Sequence, residues 1–129
     1  MITNSFGIER IIAPTNGRSL ASVYAGLVYA VAYDPMAADG IKAQTYNALA
    51  FLDQRLSELG SEKSALLQVT IYLDDMSLKT EMDEVWCEWI GPKENWPQRA
   101  CVGVDLGDEG KTLIEIVVTA IKLGPSEDV

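Results

Sequence analysis

Trp96-Pro97-Gln98-Arg99-Ala100-Cys101-Val102-Gly103-Val104-Asp105-Leu106, then Gly107-Asp108-Glu109-Gly110, then Thr112 to Lys122, is the stretch from which the fold is read. In the first arm Ala100, Val102, Val104 and Leu106 alternate with Arg99, Cys101, Gly103 and Asp105. Alternate residues of a strand project to opposite faces, so one face is apolar and the other carries a cation, a thiol and bare backbone. The Gly-Asp-Glu-Gly segment has turn chemistry, and the two arms are expected to form a C-terminal hairpin. In the second arm Ile114, Ile116, Val118 and Ala120 share one face, and Leu113, Glu115, Val117, Thr119 and Ile121 the other. Both faces are mostly apolar, which predicts a strand covered on both sides. A glutamate in such a run is costly without a partner. Arg99 on the neighbouring arm is the expected one, directly or through a ligand or water.

The chain has 129 residues, 48% of them hydrophobic and 22% charged. That composition suits one globular domain spanning residues 1–129. No apolar run approaches the roughly 18 residues of a membrane span, and no basic-then-apolar leader opens the chain. The expected compartment is the cytosol. Cys87 and Cys101 form no disulfide framework, which agrees with a reducing environment. The net charge of −9 with no Lys/Arg cluster argues against a nucleic-acid partner. With no histidine, Ser-His and Cys-His triads and most zinc sites are excluded. Any chemistry rests on carboxylates, arginine, tyrosine, cysteine, backbone or water.

In order, Gly7 to Ala13 reads as a short strand, ended by Pro14-Thr15-Asn16-Gly17. Leu20 to Ala25 and Leu27 to Tyr33 read as two strands in a tight hairpin about Gly26, stopped by Asp34-Pro35. From Asp39 or Gly40 to Leu59 the period becomes helical, with Ile41, Thr45, Ala48, Leu49, Leu52, Leu56 and Leu59 on one stripe. Asp39 is the expected N-cap and Gly60 the C-terminal left-handed residue. Ser64 to Asp74 alternates again as a long central strand. A second helix follows with Ser77 as its N-cap and Leu78, Met82, Val85, Trp86, Trp89 and Ile90 as its stripe, ended by Gly91-Pro92. The acids Asp74, Asp75, Glu81, Asp83, Glu84 and Glu88 read as helix-terminal charge and a solvated face rather than a metal site. Gly124 to Val129 is expected to fray.

The order strand-strand-strand-helix-strand-helix-strand-strand predicts an α+β, two-layer fold: a six-stranded mixed sheet with both helices on one face. The uncovered face would then expose Leu113, Val117 and Ile121. Self-association into a closed cyclic homo-oligomer with sites between subunits solves that problem.

Three stretches together resemble the Rid family of reactive-intermediate deaminases, the YjgF-type proteins. They are Arg18-Ser19-Leu20 through Ala25-Gly26-Leu27-Val28-Tyr29; Val69-Thr70-Ile71-Tyr72-Leu73-Asp74-Asp75-Met76 with Met82-Asp83-Glu84-Val85-Trp86; and Pro97-Gln98-Arg99-Ala100-Cys101-Val102 with Ile114-Glu115-Ile116. The resemblance implies a chorismate-mutase-like homotrimer with a cleft at each subunit interface. It implies hydrolysis of enamine or imine intermediates, such as 2-aminoacrylate, to 2-keto acids and ammonia without a cofactor. It makes Arg99 the carboxylate holder and places a water near Glu115. The chain departs from the family pattern at two places: Ser19 stands where a tyrosine is usual, and Ala32-Tyr33 where Gly-Gln is common.

A 2-imino acid offers a carboxylate and an electrophilic C=N carbon. Arg99 supplies the planar fork for the first, and a positioned water with a carboxylate for proton transfer serves the second. Arg99 and Glu115 are thus the expected catalytic residues, with Arg99, Cys101, Ser19, Ala32, Tyr33 and Trp86 shaping the substrate pocket. Backbone N–H near Cys101 is expected to help hold the anion, and Cys101 itself is read as a pocket-lining thiol rather than a nucleophile. The bland reading of Arg99 and Glu115 is a cross-strand ion pair. A non-catalytic trimeric module of the same fold, binding a small carboxylate, is the alternative function.

Overall fold

The computed structural model describes residues 1–124. The expectation of a frayed tail concerns residues 124–129, of which 125–129 lie outside them. The strands are β1 (Ile2–Thr3), β2 (Glu9–Ile12), β3 (Ser19–Tyr24), β4 (Leu27–Tyr33), β5 (Leu66–Leu73), β6 (Gln98–Gly103) and β7 (Ile114–Ile121). The helices are α1 (Ile41–Glu58), between β4 and β5, and α2 (Lys79–Ile90), between β5 and β6. The strands form one mixed sheet of seven, ordered β1-β2-β3-β4-β7-β5-β6, not the six expected. The extra strand is the two-residue β1, too short to show alternation.

The hairpin about Gly26 forms as expected. Ala25 and Gly26 have φ of 52° and 80°, the left-handed pair whose twist matches that of the flanking strands. The C-terminal hairpin does not form. β6 runs parallel to β5, with Arg99 opposite Val69. β7 instead lies between β4 and β5, antiparallel to both, with Glu115 opposite Tyr33 and Tyr72. The loop of residues 104–113 therefore carries the chain across β5 rather than turning it back beside β6. Glycines and alternation identify two strands and a loop, but cannot tell a two-strand hairpin from a crossing with a strand in between.

Both helices cover one face. Val28, Ala30 and Ala32 of β4, Val69, Ile71 and Leu73 of β5, and Ile114, Ile116 and Val118 of β7 are buried against Leu49, Leu52 and Leu56 of α1 and Met82, Val85 and Ile90 of α2. This is the two-layer α+β arrangement the periodicities call for. Alternation in β7 does the sorting, because each residue toward the helices is buried and each between them is half-buried or exposed. On the helix-free face Tyr29, Val117 and Ile121 remain 46%, 41% and 43% exposed. Leu113 does not join them; it precedes β7, packs against the core, and its N–H donates to Gln44 Oε1 at 2.8 Å.

The helix starts differ from expectation. Gly40, not Asp39, is the N-cap of α1, and no side chain caps its first N–H groups. Before α2 the chain makes a short 3-10 turn, Met76–Leu78, whose cap is Asp75 accepting from Ser77 N–H. Ser77 is therefore the capped residue rather than the cap. Gly60 does take the left-handed conformation, with φ of 75°. Among the described residues no helix is long and apolar enough to cross a membrane.

Candidate functional site

The loop from Ala13 to Arg18, the first residue of β3, the last of β4, the first turn of β7 and the loop after β6 converge on one cleft of about 490 Å³. Its polar lining is Thr15, Arg18, Ser19, Tyr33, Asp108, Thr112 and Glu115, with Leu20, Val31 and Leu106 as apolar walls. Glu115 arrives there because alternation in β7 sends Ile114 and Ile116 into the core and turns the residue between them away. Among the described residues its carboxylate takes part in no hydrogen bond or ion pair with the protein. Asp108 is occupied: it accepts Thr112 N–H at 2.9 Å and the Thr112 hydroxyl. These bonds from Thr112 hold its carboxyl below the usual range. Tyr33 lines the cleft while its ring packs at 5.1 Å against Phe51 of α1.

The structure therefore brings Ser19, Tyr33 and Glu115 together, as the sequence suggests. It does not bring Arg99 to them. Arg99 is in register with Val69, a residue 1% exposed beneath the helices, so it lies on the helix-covered face. Its Nη2 donates to Asp83 Oδ1 at 2.6 Å, and Asp83 Oδ2 accepts from Lys79 at 2.7 Å. The guanidinium stands 5.3 Å from the Trp86 ring, and its Nη1 is 3.9 Å from Met82 Sδ. β5 separates β6 from β7, and Glu115 is level with Val102, three residues along from Arg99. Two strand spacings of about 4.8 Å and three residues of about 3.3 Å put the two backbones roughly 14 Å apart, with side chains on opposite faces. Within one chain the expected Arg99–Glu115 pair does not exist, and Asp83 is the carboxylate that Arg99 meets.

Two other expectations change for the same reason. Ala32 is fully buried on the helix side and lines no cleft. Trp86 is 6% exposed and stacks at 5.4 Å on Trp89, so it supports Arg99 from below and is not a wall of the Glu115 cleft. Cys101 is opposite Ile71, also toward the helices. Burial pushes its thiol above its ordinary pKa, against the lowering by Arg99 and Lys79. A thiol held protonated is a poor nucleophile, and on this face Cys101 does not line the Glu115 cleft.

The acids of the second helix also have ordinary duties. Asp83 is divided between Lys79 and Arg99, Glu84 pairs with Lys42 at 2.7 Å, and Glu88 accepts from the Tyr46 hydroxyl. Burial raises the pKa of Asp83, but the bonds from Lys79 and Arg99 outweigh it, and the carboxyl titrates below the usual range. Sequence reasoning placed Asp83 on a solvated face. Its position next to Met82 on the apolar stripe, four residues after Lys79, was the available signal. Arg18, Asp108 and Thr112 lie in loops, where no periodicity marks a direction.

A family model described as Endoribonuclease L-PSP matches residues 21–122. The chain belongs to the YjgF/Rid family. It is 34% identical over 107 residues to a RutC family protein of Haemophilus ducreyi, covering 82% of this chain and 90% of that one. A RutC family protein of Haemophilus influenzae is 32% identical over 115 residues, covering 88% and 97%. Among solved structures, a member of the YjgF protein family from Neisseria meningitidis superimposes with a TM-score of 0.84 at 32% identity, covering 92% of this chain and 97% of that one. A Rid-family protein of unknown function from Yersinia pestis has the same fold at a TM-score of 0.76 and 22% identity, covering 87% and 93%. The Rid fold thus accounts for nearly all of the described chain, and within it the Glu115 cleft and Arg99 sit on opposite sides of one sheet.

Proposed function

We propose that this Rid-family chain is a hydrolase of 2-imino acids and their enamine tautomers, yielding 2-keto acids and ammonia. The sites are clefts shared between copies of a cytoplasmic homotrimer, and no metal or organic cofactor takes part. The observation that carries the reading is the Glu115 carboxylate, facing a concave site with no protein partner among the described residues. The exposed Tyr29, Val117 and Ile121 on the same face supply apolar surface for a second copy. Arg99 lies on β6, which ends the sheet, and this edge position supports a reading in which it meets the Glu115 of a neighbouring copy rather than its own.

In that arrangement the guanidinium of Arg99 binds the substrate carboxylate. Asp83 takes one Nη2 bond, and a guanidinium has five N–H donors, so capacity remains. Glu115 accepts a proton from water as the water oxygen bonds to C2 of the protonated imine. It returns that proton to nitrogen, the C–N bond breaks, ammonia leaves, and the C2 hydroxyl loses its proton to give the keto acid. Ser19 and Thr112 are hydroxyls within the cleft for holding the water. The test is ammonia release from freshly generated 2-iminopropionate and 2-iminobutyrate. Acceleration by the wild type that Arg99→Ala abolishes is the expected result, and a rate indifferent to Arg99→Ala overturns the mechanism.

The second reading is a non-catalytic module that binds small carboxylates. It is favoured by the engagement of Arg99 with Asp83 and by Ser19 in place of a tyrosine. It predicts binding of 2-oxobutyrate with no turnover of the imines. A nuclease reading finds no support in a surface of net charge −9.

A further inference from the structure

The acids outnumber the basic residues, 19 to 10, yet two arginines converge beside the Glu115 cleft with no acid between them. A second depression, of about 620 Å³, adjoins the cleft and shares Arg18 and Ser19 with it. Its other polar lining residues are Thr3, Asn4, Arg10 and Ser22, and no carboxylate lines it. Arg10 is opposite Ser22 on the neighbouring strand, and its Nη1 donates to Ser22 Oγ at 2.7 Å, which holds the guanidinium along the sheet. Arg18 has no side-chain hydrogen bond or ion pair among the described residues, and it stands on the boundary between the two concavities. Every charge on this side of the boundary is positive, whereas the cleft beyond it holds Asp108 and Glu115.

We propose that Arg18, backed by Arg10, selects 2-imino acids that carry a second carboxylate, such as 2-iminoglutarate, over aliphatic ones. The proposal rests on the deaminase reading of the Glu115 cleft. One carboxylate of the substrate occupies Arg99 of the neighbouring copy, the imine carbon lies at Glu115, and the distal carboxylate reaches over Ser19 to Arg18. A planar guanidinium free of an internal partner loses little by taking that anion, and the net negative surface elsewhere repels it. An aliphatic side chain in the same place leaves the guanidinium in water and gains nothing from it.

The experiment compares ammonia release from 2-iminoglutarate and 2-iminobutyrate, each generated in place by an amino-acid oxidase, for wild type, Arg18→Gln and Arg10→Gln. The wild type is expected to favour the dicarboxylate about tenfold in kcat/KM, and Arg18→Gln to remove most of that ratio through KM. Arg10→Gln lowers the ratio less. A wild type without preference, or an Arg18→Gln variant whose ratio is unchanged, overturns the proposal. Titration with the unreactive 2-oxoglutarate and 2-oxobutyrate separates this from failure of the deaminase reading. If neither imine is hydrolysed, the deaminase reading falls, and the titration still decides the anion site. A preference for 2-oxoglutarate that Arg18→Gln abolishes upholds the site, and equal dissociation constants overturn it.

Discussion

The position of Arg99 makes a demanding prediction about the assembly. In one chain Arg99 and Glu115 are on opposite faces of the sheet, two strands apart, so no subunit joins them at one site. If both act on one substrate, they come from different copies. Arg99→Ala then removes two charge-assisted hydrogen bonds to the substrate carboxylate, about 3 kcal/mol at the lower limit and about a hundredfold in kcat/KM. Glu115→Gln removes proton transfer, on the order of a hundredfold or more. Each variant alone is close to inactive. When the two are co-assembled in equal amounts, a productive site needs Arg99 from a Glu115→Gln subunit and Glu115 from an adjacent Arg99→Ala subunit. In a cyclic trimer with one site per interface that happens at roughly a quarter of sites, since each of the two choices has probability one half. The assay is ammonia release from 2-iminobutyrate after subunit exchange in mild denaturant, with trimers verified by light scattering. Recovery of about 25% of wild-type activity is expected from this argument. No recovery above the single variants in mixed trimers would refute the shared-site geometry.

Other outcomes follow from the same structure. Asp83→Ala strips the partner from Arg99, whose side chain is only 18% exposed, and is expected to cost about 2–3 kcal/mol, read as a lowered urea midpoint. Because the folded Asp83 titrates below its unfolded value, its contribution is present above the unfolded pKa and is lost as pH falls through the folded one. The wild-type advantage over Asp83→Asn in thermal melts should therefore shrink below about pH 4. Asp34 accepts from the N–H groups of Met36 and Ala38, each at 2.8 Å, and from Asn47. Burial raises its pKa but those donors lower it further, so Asp34→Ala should cost about 2–4 kcal/mol at neutral pH and less in acid, measured by urea titration at both. Val117→Glu places a charge on the exposed apolar face beside Ile121. If copies associate through this face as proposed, it is expected to reduce the assembly to monomer in light scattering while the far-ultraviolet circular dichroism holds, and an assembly unchanged from wild type would mean that this face is not the interface.

Much of this protein is legible from the sequence by itself. Helical stripes and the alternation of β4, β5 and β7 sort the side chains that enter the core from those that do not, because local backbone geometry sends alternate residues to opposite faces. Ile116 and Val118 share one face and Glu115 takes the other, whatever strand lies beside β7. Absent histidine and a net charge of −9 narrow the chemistry, since both are properties of composition. The family is also legible, because the Arg99 and Glu115 motifs are contiguous stretches. What tertiary structure alone decides is adjacency. The pairing of β6 with β5, rather than β7, is set by long-range backbone hydrogen bonds that no local pattern encodes. That one fact moves Arg99 from the Glu115 cleft to Asp83, sends Cys101 toward the helices, and leaves the cleft to Arg18, Ser19 and Thr112. Alternation sorts the side chains of a strand into two sets, but which set meets the helices, and which strand comes to lie alongside, is settled only by long-range pairing, as Arg99 toward Asp83 and Val102 toward the open face show.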